Sequence, residues 1–184
     1  MYDIIGLVGR AHAGKDLVAT HVHDTYGHDN CKFAGPMKTA LKSLFDFSHE
    51  QVEGDLKETV DERWGVTPRR VMQFFGTEML QIKMQELIPG LGRHFAVKRM
   101  FLNYDTREQP FCVSDVRFQH EVDAIRQHGG IVIRLRRNQD GHSKEHEHES
   151  ESGVDGMSCD YDVDNDGSVA DLFSKIDRIL ANKE

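Results

Sequence analysis

From Tyr2 to Gly9 the chain reads YDIIGLVG, apolar with almost no alternation. That pattern predicts a strand buried on both faces of a parallel sheet. KDLVATHVHDTYG follows as a helix from Lys15 that stops at Gly27. Cys31–Gly35 (CKFAG) reads as a second short strand, and Pro36 opens a helix through PMKTALKSLF, at a position where a missing N–H is tolerated. Thr67–Ile88 is the clearest helical pattern. Thr67 caps it, Pro68 starts the first turn, and Val71, Phe74, Phe75, Met79, Ile82 and Leu87 fall on one stripe. Phe111–Asp115 is a third strand, and QHEVDAIRQHGG a helix with a glycine stop. Ile131–Leu135 and Asp160–Val163 are the fourth and fifth strands. The turn Asn165–Gly167 leads into a last helix, SVADLFSKIDRIL, with Ser168 and Asp171 placed as a capping box. Strands alternating with helices predict an α/β fold, a five-stranded and mostly parallel sheet with helices on both faces.

Composition narrows this picture. The 184 residues suffice for one domain, and 38% hydrophobic with 29% charged residues is globular. A formal net charge of −8 speaks against a protein that coats nucleic acid. No apolar run reaches the ~18 residues of a membrane span. The first residues do not resemble a signal peptide, so a cytoplasmic protein is expected. Cys31, Cys112 and Cys159 are odd in number and far apart, the pattern of reduced thiols. One stretch departs from the rest. Arg136–Gly156 is polar and charged, and reads as a mobile loop rather than a linker, because a strand and helix follow it.

Chemistry enters at Gly9–Lys15, GRAHAGK, which fits G-x-x-x-x-G-K between a strand and a helix. Backbone N–H groups and the positive helix end can surround phosphate oxygens there. Gly14 permits the sharp turn, and Lys15 supplies a point charge. Gly14, Lys15 and Asp16 are therefore candidates for a nucleotide site. Asp16 stands where a hydroxyl usually holds Mg²⁺. A carboxylate can hold the ion directly or through its waters, so the loop reads as metal-dependent.

The acceptor side is spread along the chain. Lys38 follows the second strand, and Arg69 and Arg70 open the long helix with two guanidiniums suited to phosphate. Gly76 interrupts that helix, for packing or for ligand access. After the third strand, Asp115 is a candidate second carboxylate for Mg²⁺, Arg117 a phosphate ligand, and Glu121 a partner for a sugar or base. Arg134, Arg136 and Arg137 are candidates for a clamp on the transferring phosphoryl. The histidines of His142–Glu151 fit no defined zinc spacing and read as a solvated surface.

GKD, AGPMKTAL, RRVMQFFGTEM, SDVRFQHEVDAIRQHGG and DVDNDGSVADLFSKI together resemble the deoxynucleoside monophosphate kinases of large tailed phages, from Gly6 to about Leu180. The resemblance implies a P-loop kinase fold related to adenylate kinase, one domain over 1–184 with a mobile lid at about 136–156. It implies transfer of the ATP γ-phosphoryl to a deoxynucleoside 5′-monophosphate with Mg²⁺, in the cytoplasm of a host if viral. Arg10, Ala11, His12, Ala13 and Leu17 would share an ATP site with Gly14, Lys15 and Asp16. Lys15, Arg117, Arg136 and Arg137 would be catalytic, and Asp16 and Asp115 would serve the metal. Lys38, Arg69, Arg70, Gly76, Asp115, Arg117 and Glu121 would meet the acceptor. Asn165, Asp166 and Gly167 would lie near the ATP adenine. Partners would be small molecules only, with neither nucleic acid nor membrane, and monomer and homodimer both stay open. The chain is shorter than the long family members between Phe45 and Trp64, and Ala11 and His12 replace a basic pair. Other readings are a dephospho-coenzyme A kinase, a phosphomevalonate-type kinase, and a nucleotide-binding switch or ATPase.

Overall fold

The computed structural model describes residues 2–102, 104, 108–137 and 153–182. The chain divides into two compact units: Met1–Lys32 with Asp105–Glu184, and Phe33–Tyr104.

The first unit holds the sheet. Its strands are β1 (Ile4–Val8), β2 (Asp29–Cys31), β3 (Phe111–Val116), β4 (Ile131–Arg136) and β5 (Tyr161–Asp164), in the order β2-β3-β1-β4-β5. Every pairing is parallel. The apolar run at the start of the chain is the sheet's centre, with each β1 residue buried. Ile5 and Leu7 join one core with Ile133 and Leu135 of β4, Val18 and Val22 of α1 (Lys15–Tyr26), and Leu172, Ile176 and Leu180 of the last helix. Those three leucine and isoleucine positions recur every four residues, the stripe that turns a helix toward a sheet.

Helix α7 (Gln119–Gln127) covers the opposite face. A Cβ on Gly6 would lie 2.6 Å from Ile125 Cδ1, so only glycine lets that helix approach so closely. The last helix, Val169–Ala181, starts with the expected capping box. Ser168 Oγ accepts the Asp171 N–H, and Asp171 Oδ2 accepts the Ser168 N–H. All three cysteines are free.

The second unit is helical. It contains α2 (Gly35–Phe45), α3 (His49–Val52), a 3-10 turn (Asp55–Glu58), α4 (Pro68–Gln73), α5 (Met84–Leu87) and α6 (Phe95–Phe101), so that α8 is the last helix of the first unit. Leu41, Phe47, Val52 and Val71 form its core. Buried Asp61 accepts hydrogen bonds from Gln51 Nε2 and from the Arg63 backbone and guanidinium. These bonds hold its carboxyl well below the usual range.

Two expectations are corrected. The second strand lies at Asp29–Cys31, not Cys31–Gly35, because Gly35 and Pro36 already begin α2. Thr67–Ile88 is not one α-helix. Between α4 and α5, Phe74–Lys83 is a π-helix, with the Met84 N–H bonded back to the Met79 carbonyl. The wider turn breaks the 3.6-residue spacing, so only Val71 of the expected stripe is buried, while Phe74, Met79, Ile82 and Leu87 are exposed. The expected lid over 136–156 falls mostly on 138–152, outside the described residues, as does the histidine-rich stretch 142–151.

Candidate active site

The loop between β1 and α1 has the form its glycines and lysine predict. Gly14 is left-handed at φ 100, and α1 begins at the next residue. His12 is also left-handed, at φ 61. Lys15 Nζ folds back over the loop and donates to the carbonyls of Gly9 and Arg10, at 2.7 Å each. This curls the backbone around the ammonium group and leaves the N–H groups at the helix start to face an anion.

The turn Asn165–Gly167 is fastened to this loop. Asn165 Nδ2 donates to the Ala13 carbonyl at 3.0 Å, and its backbone N–H donates to the Arg136 carbonyl. A Cβ on Gly14 would lie 2.7 Å from Asn165 Nδ2. Asn165 therefore reaches the phosphate loop itself. Arg10 pairs with Asp155 at 2.6 Å.

Asp16 lies at the first turn of α1, where its charge suits the helix end, and its side chain is 82% exposed. Two groups converge on its Oδ1. Ser114 Oγ donates at 3.4 Å, and Lys32 Nζ lies at 3.3 Å. Both partners were missed by sequence reasoning, since nothing local to Lys32 or Ser114 points to position 16. Ser114 brings a hydroxyl from β3 beside the Asp16 carboxylate. Asp115, the next residue of β3, raises the pKa of Glu121 by its charge.

Glu121 is buried at the start of α7. Its Oε2 accepts the N–H groups of Arg117 at 2.7 Å and Phe118 at 3.1 Å. Burial pushes its carboxyl up to about 8, Asp115 adds to the rise, and the two N–H groups and Arg117 oppose it. It thus fixes the corner that carries Arg117.

Of the three arginines at the end of β4, Arg134 is locked in place. It is buried, donates to the carbonyls of Asp155 and Met157, and pairs with Asp162. That geometry removes it from the clamp. Arg136 is exposed and pairs with Asp162 at 3.2 Å, and Arg137 is exposed.

In the second unit each basic candidate faces a carboxylate. Lys38 pairs with Glu53 at 2.8 Å, Arg69 with Glu58, and Arg70 with Glu78 at 3.3 Å. Gly76 lies in the π-helix against Met37, whose sulfur would be 3.3 Å from an added Cβ.

Among the described residues no three His, Cys, Asp or Glu side chains gather as a metal cage. None is needed for Mg²⁺, which keeps several waters and takes one or two carboxylates beside substrate phosphates. The carboxylate of Asp16 and the hydroxyl of Ser114 beside it are oxygen donors of the kind such an ion takes.

The deoxynucleotide monophosphate kinase family profile matches residues 46–176. A protein of Acanthamoeba polyphaga mimivirus that bears the family's name is 35% identical over 182 residues, covering 94% of this chain and 93% of that protein. The deoxynucleotide monophosphate kinase of Enterobacteria phage T4 is 30% identical over 157 residues, covering 78% of this chain and 61% of that protein. Among solved structures, TT1252 from Thermus thermophilus has a TM-score of 0.51 at 17% identity, covering 98% of this chain and 97% of the other. Dephospho-CoA kinase from Campylobacter jejuni has 0.50 at 14%, covering 98% and 96%. At such identities these two speak for the P-loop kinase fold alone. With a phosphate loop in place, that fold around it and relatives along almost its whole length, the chain belongs to the deoxynucleotide monophosphate kinase family and is a phosphotransferase.

Proposed function

We propose that the chain transfers the γ-phosphoryl group of ATP to a deoxynucleoside 5′-monophosphate, giving the diphosphate and ADP. The observation that carries this reading is the Gly9–Lys15 loop, with Lys15 folded over its carbonyls and Gly14 opening α1, in a chain of this family. Arg10–Leu17 hold the triphosphate, and Lys15 neutralises the oxygens that gain charge as the phosphoryl leaves. Asn165 and its turn fix the loop beneath the nucleotide. Asp16 and Asp115 would hold Mg²⁺, with the Ser114 hydroxyl beside Asp16, and the ion when bound would supply charge neutralisation.

The candidates for the acceptor phosphate are Lys38, Arg69 and Arg70 in the helical unit and Arg117 in the unit that carries the sheet, where Arg136 and Arg137 are the candidates for neutralising the transferring group. Its attacking oxygen is already ionised at neutral pH, so no general base is required. The work of the residues is to bring two anions together in line and keep water out. A phosphate must displace the carboxylates of Glu53, Glu58 and Glu78 from their cations, which a dianion does better than a neutral sugar hydroxyl. The reaction would feed deoxynucleotide pools, and its proposed place is the cytoplasm, that of a host if the chain is viral.

The test is a coupled ADP-release assay with ATP and Mg²⁺. The acceptors are dTMP, dGMP, dCMP and dAMP, their ribose counterparts, dephospho-coenzyme A, and a blank. Turnover with one or more deoxynucleotides above the blank is expected. ADP release in the blank alone, or only with dephospho-coenzyme A, would overturn the assignment.

A further inference from the structure

An aspartate after the loop lysine creates an electrostatic difficulty. The hydroxyl usual at this position is neutral. Asp16 instead places a full negative charge beside a cradle built for a polyanion. The charge is solvent-facing, so water screens it in part, but a nucleotide phosphate entering the loop excludes some of that water.

We propose that Lys32 is the counter-ion that lets this loop accept nucleotide when no divalent cation accompanies it. The proposal rests on the reading of Gly9–Lys15 as a nucleotide site. Lys32 follows β2 directly, and its Nζ lies 3.3 Å from Asp16 Oδ1. The Lys32 side chain is 35% exposed, so it is held near the carboxylate rather than swinging in solvent. Ser114, 4% exposed, donates to the same oxygen at 3.4 Å. The pair makes position 16 close to neutral, as a hydroxyl would be. With a divalent cation present, Asp16 has a second compensating charge, and Lys32 contributes less.

The experiment measures ADP affinity by calorimetry, in EDTA and in saturating Mg²⁺. The proteins are the wild type, Lys32→Met, Asp16→Asn and the double variant, with thermal melts confirming that each is folded. Lys32→Met is expected to weaken ADP binding in EDTA about five-fold, the upper range for a partly exposed ion pair. In Mg²⁺ the loss is expected to shrink to within about two-fold. In the Asp16→Asn background, Lys32→Met is expected to have no effect in EDTA, since the charge it compensates is gone. Equal losses in the two buffers, or a loss that persists without Asp16, would overturn the proposal and make Lys32 a direct phosphate ligand. No loss in either buffer would also overturn it. A wild-type protein that binds no ADP under any condition would overturn the nucleotide-site reading, and the role of Lys32 with it.

Discussion

Gly14 is held by two separate constraints. Its φ of 100 is strained for any L side chain, and an added Cβ would meet Asn165 Nδ2 at 2.7 Å. The amide would then have to leave the Ala13 carbonyl that it holds. Gly14→Ala is expected to lower stability by about 1–3 kcal/mol and to weaken ADP binding about ten-fold. Chemical denaturation and an ADP titration check the two numbers separately, and an unchanged ADP affinity would mean that the loop does not cradle phosphate. Lys15 presents a different case. Its head group bonds loop carbonyls rather than the core, so Lys15→Ala should leave the fold intact while turnover falls about 10³-fold. Near-normal turnover in that variant would contradict the mechanism. These two residues were legible in the sequence because the motif is contiguous. Lys32 and Ser114 were not. They come to Asp16 from the end of β2 and from β3, and pairs brought together by the sheet leave no local pattern.

At the scale of elements, the corner between β3 and α7 depends on one buried carboxyl. Glu121 holds the N–H groups of Arg117 and Phe118, and its pKa lies at about 8 because burial penalises the charged form. A raised pKa means that the folded state binds its proton more tightly than the unfolded chain. The stability this proton contributes is complete below the ordinary carboxyl range and is lost as pH rises toward about 8. Glu121→Gln keeps an oxygen to accept both N–H groups and removes the titration. Relative to wild type its melting temperature should therefore rise between pH 5 and pH 8.5, and a difference that stays flat with pH would refute this account. The sequence suggested a substrate contact for Glu121. The capping role was hidden because an acidic residue at a helix start fits either use. The long pattern at Thr67–Ile88 misled for a related reason. Apolar spacing identifies a helix and its type poorly, and π-helical Phe74–Lys83 turns Phe74, Met79 and Ile82 outward despite a pattern that suits an α-helix.

For the whole molecule, a net charge of −8 must be reconciled with two anionic substrates. The overall field repels both, so binding has to rest on local cations. Those cations are divided. Lys15, Arg117, Arg136 and Arg137 belong to the unit that carries the sheet, and Lys38, Arg69 and Arg70 belong to the helical unit. The five strands and their parallel, helix-covered sheet were legible at this scale because each βα step is written in consecutive residues, whereas the strand order and the division into two units are properties of distant contacts. If Lys15 serves ATP and Arg70 the acceptor, ligand effects on stability should separate by variant. At a hundred times its Kd, a ligand that binds only the folded state should raise the melting temperature of a chain this size by roughly 5–10 °C. Lys15→Ala should lose that rise with a non-hydrolysable ATP analogue and keep it with the preferred deoxynucleoside monophosphate. Arg70→Ala should do the reverse, with an acceptor KM about ten-fold higher, the worth of one charge-assisted phosphate contact. Loss of both rises in either variant would show that one group serves both anions, and the division of labour between Lys15 and Arg70 would fall.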